Sequence, residues 1–326
     1  MVNIDLTKGD NLFTYIRNRF LNLILVLVGV TLLSFLLSNL SSADPAEAFA
    51  RRSMLNPTPT QIEEIRREMK LDLPLYQQYF SWIGNSVKGD LGISYLTRNP
   101  VSLDIARKLP VTMRLVGISL FLIIFLSVPI SVLSAINKNS FFDHLIRAVT
   151  VLGISIPNFW LGFLLLLVFA VTFPIFRVVD HGSFRSMVLP SLALAIPIAS
   201  SSVRLFRATI LSNLNKDYVV YAKARGIGNS RIIWRHVLKN SLPPMITMFC
   251  QYLGYMVAGS AVVESIFSMK GIGMHLVDAI IGRDLPTING CVLVIALIFV
   301  FFNTLADLVN VRLNPQMSGK GEELYD

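Results

Sequence analysis

The sequence predicts an all-α integral membrane protein with six transmembrane helices and a small helical insertion after the first of them. Three observations predict it. Hydrophobic residues make up 53% of the 326 positions and charged ones only 15%, against about 25% charged in soluble domains. Six stretches reach about the 20 apolar residues that a bilayer core requires, and none of them contains Asp, Glu, Lys or Arg. The basic residues concentrate in alternate connecting segments, as the positive-inside rule requires. The formal net charge of +9 is informative only through that placement.

The predicted spans are Phe20–Asn39, Leu115–Asn137, Ala148–Phe176, Ser186–Val203, Pro244–Val263 and Pro286–Ala306. The first is too long for the apolar core of a signal peptide and lacks a small-residue cleavage site, so it is expected to be retained. The fourth is short and carries Pro190 and Pro197. With the N-terminus placed in the cytoplasm, inner segments hold Lys8, Arg17, Arg19, Lys138, Arg147, Arg204, Arg207, Lys216, Arg312 and Lys320. The short outer loops hold only Arg177, Arg185, Lys270 and Arg283. Both termini are therefore expected inside a cytoplasmic membrane. The organisation that follows is 1–39 for the cytoplasmic N-terminus and first span, 40–110 for an extracytoplasmic helical loop, 111–310 for a five-helix core, and 311–326 for a cytoplasmic tail.

The outer loop has helix signals of its own. Thr58-Pro59-Thr60-Gln61 reads as an N-cap, a proline at the first helical position and a capping-box glutamine. Ile62, Ile65 and Met69 follow at helical spacing, and a second short helix starts at Asp72-Leu73-Pro74 and bears Tyr76, Tyr79, Phe80 and Trp82. These predict a small cap packed on the outer membrane face.

The inner segment Tyr221–Pro244 is the most unusual. It carries Lys223, Arg225, Arg231, Arg235 and Lys239 with no acid among them. Nucleic-acid binding is disfavoured, because both ends are tethered to spans and no binding fold is present. Attraction to an anionic lipid leaflet, about 1 kcal/mol per basic residue, explains the charge alone. Docking to a cytosolic protein explains the shape as well. Ala222 and Ala224 favour a helix, Gly226 ends it, Gly228-Asn229 turns, and an amphipathic helix Ser230–Asn240 runs to a stop at Leu242-Pro243-Pro244.

Ala222, Gly226 and the closing Leu242-Pro243 resemble the EAA loop of ABC-importer permease subunits. The longer form YAKARGIGNSRIIWRHVLKNSLPP is similar to the peptide/nickel branch, in which Val220 and Tyr221 stand where the general motif has Glu and Ala. Asp44-Pro45, Leu71 to Tyr76, Gly89 to Ser94, Ser155 to Trp160, Glu264 to Phe267, Gly271 to Gly273 and Arg283 to Pro286 match the same branch in order. The resemblance implies a type I permease fold with a coupling loop within 204–243, in which Tyr221, Ala222, Lys223, Ala224, Arg225, Gly226, Leu242 and Pro243 contact an ATPase. It implies as partners a second, homologous permease, two ATP-binding subunits and an extracytoplasmic substrate-binding protein. No Walker A sequence is present in this chain, so ATP and Mg are expected on the partner subunits, with no cofactor here and no catalysis by this chain.

For cargo, the short 177–185 loop and Met54 to Thr60 resemble nickel permeases, so nickel or a nickel chelate is the expectation and a dipeptide or oligopeptide the alternative. Ligand chemistry adds little: Met248, Met256 and His275 are weak metal candidates, since methionines more often fill gaps between helices. Glu264 at the outer end of the fifth span either lines a gate with Gly271 and Gly273 or caps the turn they form. An ion channel would need a filter or charged ring, and a secondary transporter buried ionisable groups; the spans supply neither.

Overall fold

The computed structural model describes residues 9–39, 44–177 and 185–313. His181 and most of the 177–185 loop, Lys8 and Lys320, and nearly all of the expected tail lie outside the described residues. Among the described residues the chain is helical, and the one extended pairing is a lone bridge between Ile93 and Pro100.

The first helix, α1 (Gly9–Asn39), leads into the cap, α2 (Pro45–Ser53), α3 (Pro59–Glu68) and α4 (Leu75–Ser86). The cap forms as its local sequence dictates. Thr58 accepts from the Gln61 backbone N–H, and the Gln61 side chain accepts in return from Thr58, a complete capping box. Ala46, Ala50 and Ile65 are buried together, with Phe49, Ile62 and Met69 packed around them. Asp44 caps α2 and pairs with Arg66 across the cap.

The bundle consists of α5 (Val101–Ile136), α6 (Phe141–Ser155), α7 (Asn158–Leu166), α8 (Arg185–Leu214), α11 (Leu238–Ile266) and α13 (Leu285–Leu313). Between α8 and α11 stand the short α9 (Asp217–Ala224) and α10 (Asn229–Ile232), and α12 (Ile272–Gly282) sits between α11 and α13. Four of these runs are long and apolar enough to cross a membrane, and the bent pair α6–α7 makes a fifth. The apolar part of α1, Leu23–Asn39, is shorter than the same 18-residue length.

The central pair is α5 on α8. Ser119, Ser127, Ser131 and Ser134 of α5 and Ser191 and Ser202 of α8 are all buried, and small residues let helix backbones approach closely where no water competes. The hydroxyls of Ser119, Ser131 and Ser202 turn back on their own helices: Ser131 Oγ donates to Ser127 O at 2.5 Å and lies 3.2 Å from Val203 O across the seam. At Gly153, α6 crosses α8 so closely that a Cβ would meet the Ser200 hydroxyl. Leu115, Ile123, Phe206, Ile210, Met245 and Met256 fill the core between α5, α8 and α11.

Prolines act differently from expectation in three places. The third span does not run straight: Ile156 is extended (φ −85°, ψ 120°) and α7 leaves α6 at 99°. The proline ring of Pro157 pushes the residue before it out of the helical region. Conversely, Leu242-Pro243-Pro244 does not stop a helix. The run Asn229–Ile266 continues through it, by way of a π-helical turn at Ile233–Val237. The two prolines deprive the carbonyls of Lys239 and Asn240 of donors, and both residues are exposed, so solvent can replace the lost bonds. Pro190 and Pro197 likewise lie inside α8, which is 30 residues long rather than the short interrupted span expected.

Candidate functional site

The hairpin α9–α10 holds the expected coupling residues. Its turn is a complete Schellman motif: Gly226 N–H donates to Lys223 O at 2.9 Å and Ile227 N–H to Ala222 O at 3.2 Å. Gly226 sits at φ +73°, the left-handed conformation the motif demands and glycine adopts without strain. Close backbone approach is not the reason for this glycine: nothing lies within 4 Å of where its Cβ would be. The constraint is conformational, and the space beyond it is open.

One face of the hairpin is fixed and the other is free. Val219, Ala222 and Ile232 are buried, and Ile227 packs beside them on the main core. Lys223, Ala224, Arg225 and Arg231 are exposed. So are three large side chains: Val220 at 62%, Tyr221 at 72% and Trp234 at 66%. Trp234 carries no family motif, and only its position on an otherwise basic helix signals it. Leu242 is exposed and Pro243 half-buried, but both belong to α11 rather than to the turn.

The stalk beneath the hairpin is clamped. Arg207 on α8 donates to both carboxylate oxygens of Asp143 on α6, each at 2.6 Å. Asp143 is fully buried and also accepts from Ser134 of α5 at 2.5 Å and from the Asn139 N–H at 3.0 Å. The clamp joins three helices, and the sequence reading missed it. Its signal was a lone acid just past the Lys138-Asn139-Ser140 turn, opposite an arginine in the run beyond the fourth span. Lower down, Asn213 at the end of α8 donates to Ser241 Oγ of α11 at 3.0 Å.

The far end of α11 is closed. Glu264 is fully buried and accepts from Thr112 of α5 at 2.6 Å, from Ser260 at 3.0 Å and from the Met274 N–H of α12 at 2.9 Å. Thr112 Oγ1 in turn accepts from Ile272 N–H at 2.9 Å. Glycines 271 and 273 are needed for contact, not for φ: a Cβ on Gly271 would strike the Glu264 carboxylate, and one on Gly273 the Ala261 backbone. Asp284, before α13, is another buried acid to which the sequence reading gave no structural role. It accepts from Ser94 Oγ at 2.5 Å, from Tyr95 N–H at 3.0 Å and from Thr287 Oγ1 at 2.8 Å, pinning the 94–96 turn to α13.

The weak metal candidates are not assembled into a site. Met256 is buried in the bundle core and Met248 packs against it. His275 is 3% exposed on α12, with the Lys108 ammonium 2.8 Å from its Nδ1; burial, then that charge, lowers its pKa. A cation at one ring nitrogen disfavours a second at the other. Among the described residues no group of three His, Cys, Asp or Glu is placed to hold a metal ion.

A bundle of four to five apolar spans with a basic hairpin on a clamped stalk is the architecture of a membrane protein. The chain belongs to the family of binding-protein-dependent transport system inner membrane components, whose model matches residues 127–319, and the N-terminal model of the same systems matches residues 12–116. It is thus the non-catalytic permease subunit of an ABC importer, a membrane protein of the peptide/nickel branch. The glutathione transport system permease proteins GsiC of Escherichia coli O6:H1 (strain CFT073) and of Escherichia coli (strain K12) are each 33% identical to it over 309 residues, covering 95% of this chain and all of theirs. The same protein of Shigella flexneri serotype 5b (strain 8401) matches to the same extent.

Proposed function

We propose that this chain is one half of the membrane pathway of an importer for small peptides of the glutathione class. The observation that carries this is the 33% identity to glutathione permeases along 95% of the chain. It favours peptide over the nickel cargo that the local resemblances suggested. A second permease forms the other half, two ATP-binding subunits engage the α9–α10 hairpin from the cytoplasm, and a substrate-binding protein delivers cargo outside. Both termini lie inside. Tyr221, Trp234 and the basic residues around them form the ATPase contact, and Gly226 shapes the turn that presents them. Glu264, with Gly271 and Gly273, anchors a corner rather than lining a gate, because all its hydrogen bonds close on its own neighbours.

The test is uptake into proteoliposomes holding the complete complex and its binding protein, comparing labelled glutathione, a labelled dipeptide and nickel ion. ATP-dependent peptide uptake with no nickel uptake is expected. Nickel uptake without peptide uptake would restore the metal reading.

A further inference from the structure

The cap and the start of α13 line an open cavity of about 580 Å³, within the range of small-molecule sites. Phe49, Trp82 and Tyr95 line it together with Lys70, Arg98 and Glu68. Two features set it apart from a packing gap.

The first is backbone strain. Lys70 (φ 55°) and Arg98 (φ 63°) are both left-handed. Lys70 closes α3 at the position where a Schellman motif prefers glycine: its N–H reaches Arg67 O at 3.0 Å, and the Leu71 N–H reaches Arg66 O at 2.9 Å. Glycine would serve both backbones with less strain, yet both carry a cation that lines the cavity. The second is a built aromatic wall. The Arg98 guanidinium lies 3.7 Å over the Phe49 ring and donates to Ser53 Oγ at 2.9 Å, while Phe49 meets Tyr95 edge-on at 6.2 Å. Burial, then the charge of Asp284, pushes the Tyr95 phenol up to about 12, so it remains a donor.

We propose that this cap cavity binds a small organic monoanion, a carboxylate on an aromatic or aliphatic body. The body packs on Phe49, Trp82 and Tyr95, and Lys70 and Arg98 supply the charge. Glu68 leaves the lining with a single net positive charge, which matches one anionic group and not two. The proposal does not rest on the cargo reading, since it is tested by binding and not by transport.

The test is calorimetric titration of the purified complex, in phosphatidylcholine nanodiscs, with N-acetylphenylalanine and separately with its neutral amide. Saturable binding of the acid is expected, with the amide about tenfold weaker, as loss of one hydrogen bond to a charged group implies. Lys70→Gly is expected to weaken acid binding about tenfold while the complex melts no lower than wild type, because glycine relieves the left-handed backbone. Lys70→Gln gives the same reading should the glycine variant fail to assemble. Equal affinity for acid and amide, or unchanged affinity in both Lys70 variants, would overturn the proposal. So would loss of acid binding in phosphatidylglycerol nanodiscs, since a lipid phosphate would then be the occupant.

Discussion

The two ends of the α9–α13 segment use glycine for opposite reasons. At the hairpin, Gly226 is required by a backbone angle of +73° and faces empty space. At the corner between α11 and α12, Gly271 and Gly273 are required by what touches them, the Glu264 carboxylate and the Ala261 backbone. The corner is complete within this chain: every hydrogen bond found for its buried acid ends on its own helices or on α5. The hairpin is complete only on its inner face and leaves Val220, Tyr221 and Trp234 more than 60% exposed. A closed corner is a stability element; an open turn with large exposed side chains is a surface awaiting a partner.

That contrast sets an order of effects. Glu264→Ala should be the most damaging substitution, because it leaves the Thr112 hydroxyl and the Met274 N–H without their acceptor. At about 1–3 kcal/mol each, the loss should reach about 4 kcal/mol and show as a large drop in the melting temperature of the detergent-solubilised protein. A melting temperature within a degree or two of wild type would mean the corner is not closed. Asp143→Ala separates the stalk from the hairpin it carries. It strands the Arg207 guanidinium at 15% exposure, with an expected loss of about 3 kcal/mol, and Asp143→Asn should cost less. Gly226→Asp reverses the pattern. Strain at one left-handed residue costs about 1 kcal/mol, so the protein should reach the membrane and melt nearly normally, yet ATP hydrolysis should no longer drive uptake. Normal coupled transport by that variant would contradict the assignment of the hairpin. The smallest effect is expected in the cap: Thr58→Ala removes one N-cap and should lower cap stability by about 1 kcal/mol, read by hydrogen exchange over residues 58–68.

The parts legible in the sequence were those whose cause is local. The Thr58–Gln61 capping box, the Ile62–Ile65–Met69 face and the left-handed stop at Gly226 are each fixed by a few consecutive residues. The prolines were not legible. Pro157 bends the chain by 99° while Pro243 and Pro244 sit inside a continuous helix, and the difference lies in what surrounds the freed carbonyls, which no local pattern records. The buried acids were missed for the same reason. Asp143 and Asp284 look like ordinary loop or helix-end charges until distant partners are placed beside them: Arg207 and Ser94 respectively.

The π-helical turn at Ile233–Val237 has one consequence for how the hairpin and the bundle are matched. A π turn holds one residue more than an α turn, and one residue is about 100° of rotation about a helix axis. The turn is therefore a phase shift built into a single continuous rod. The face that α10 shows and the face that α11 packs into the core are set independently, and no one helical wheel describes both. Deleting a residue from 233–237 would rotate the hairpin relative to the bundle while leaving both surfaces chemically intact.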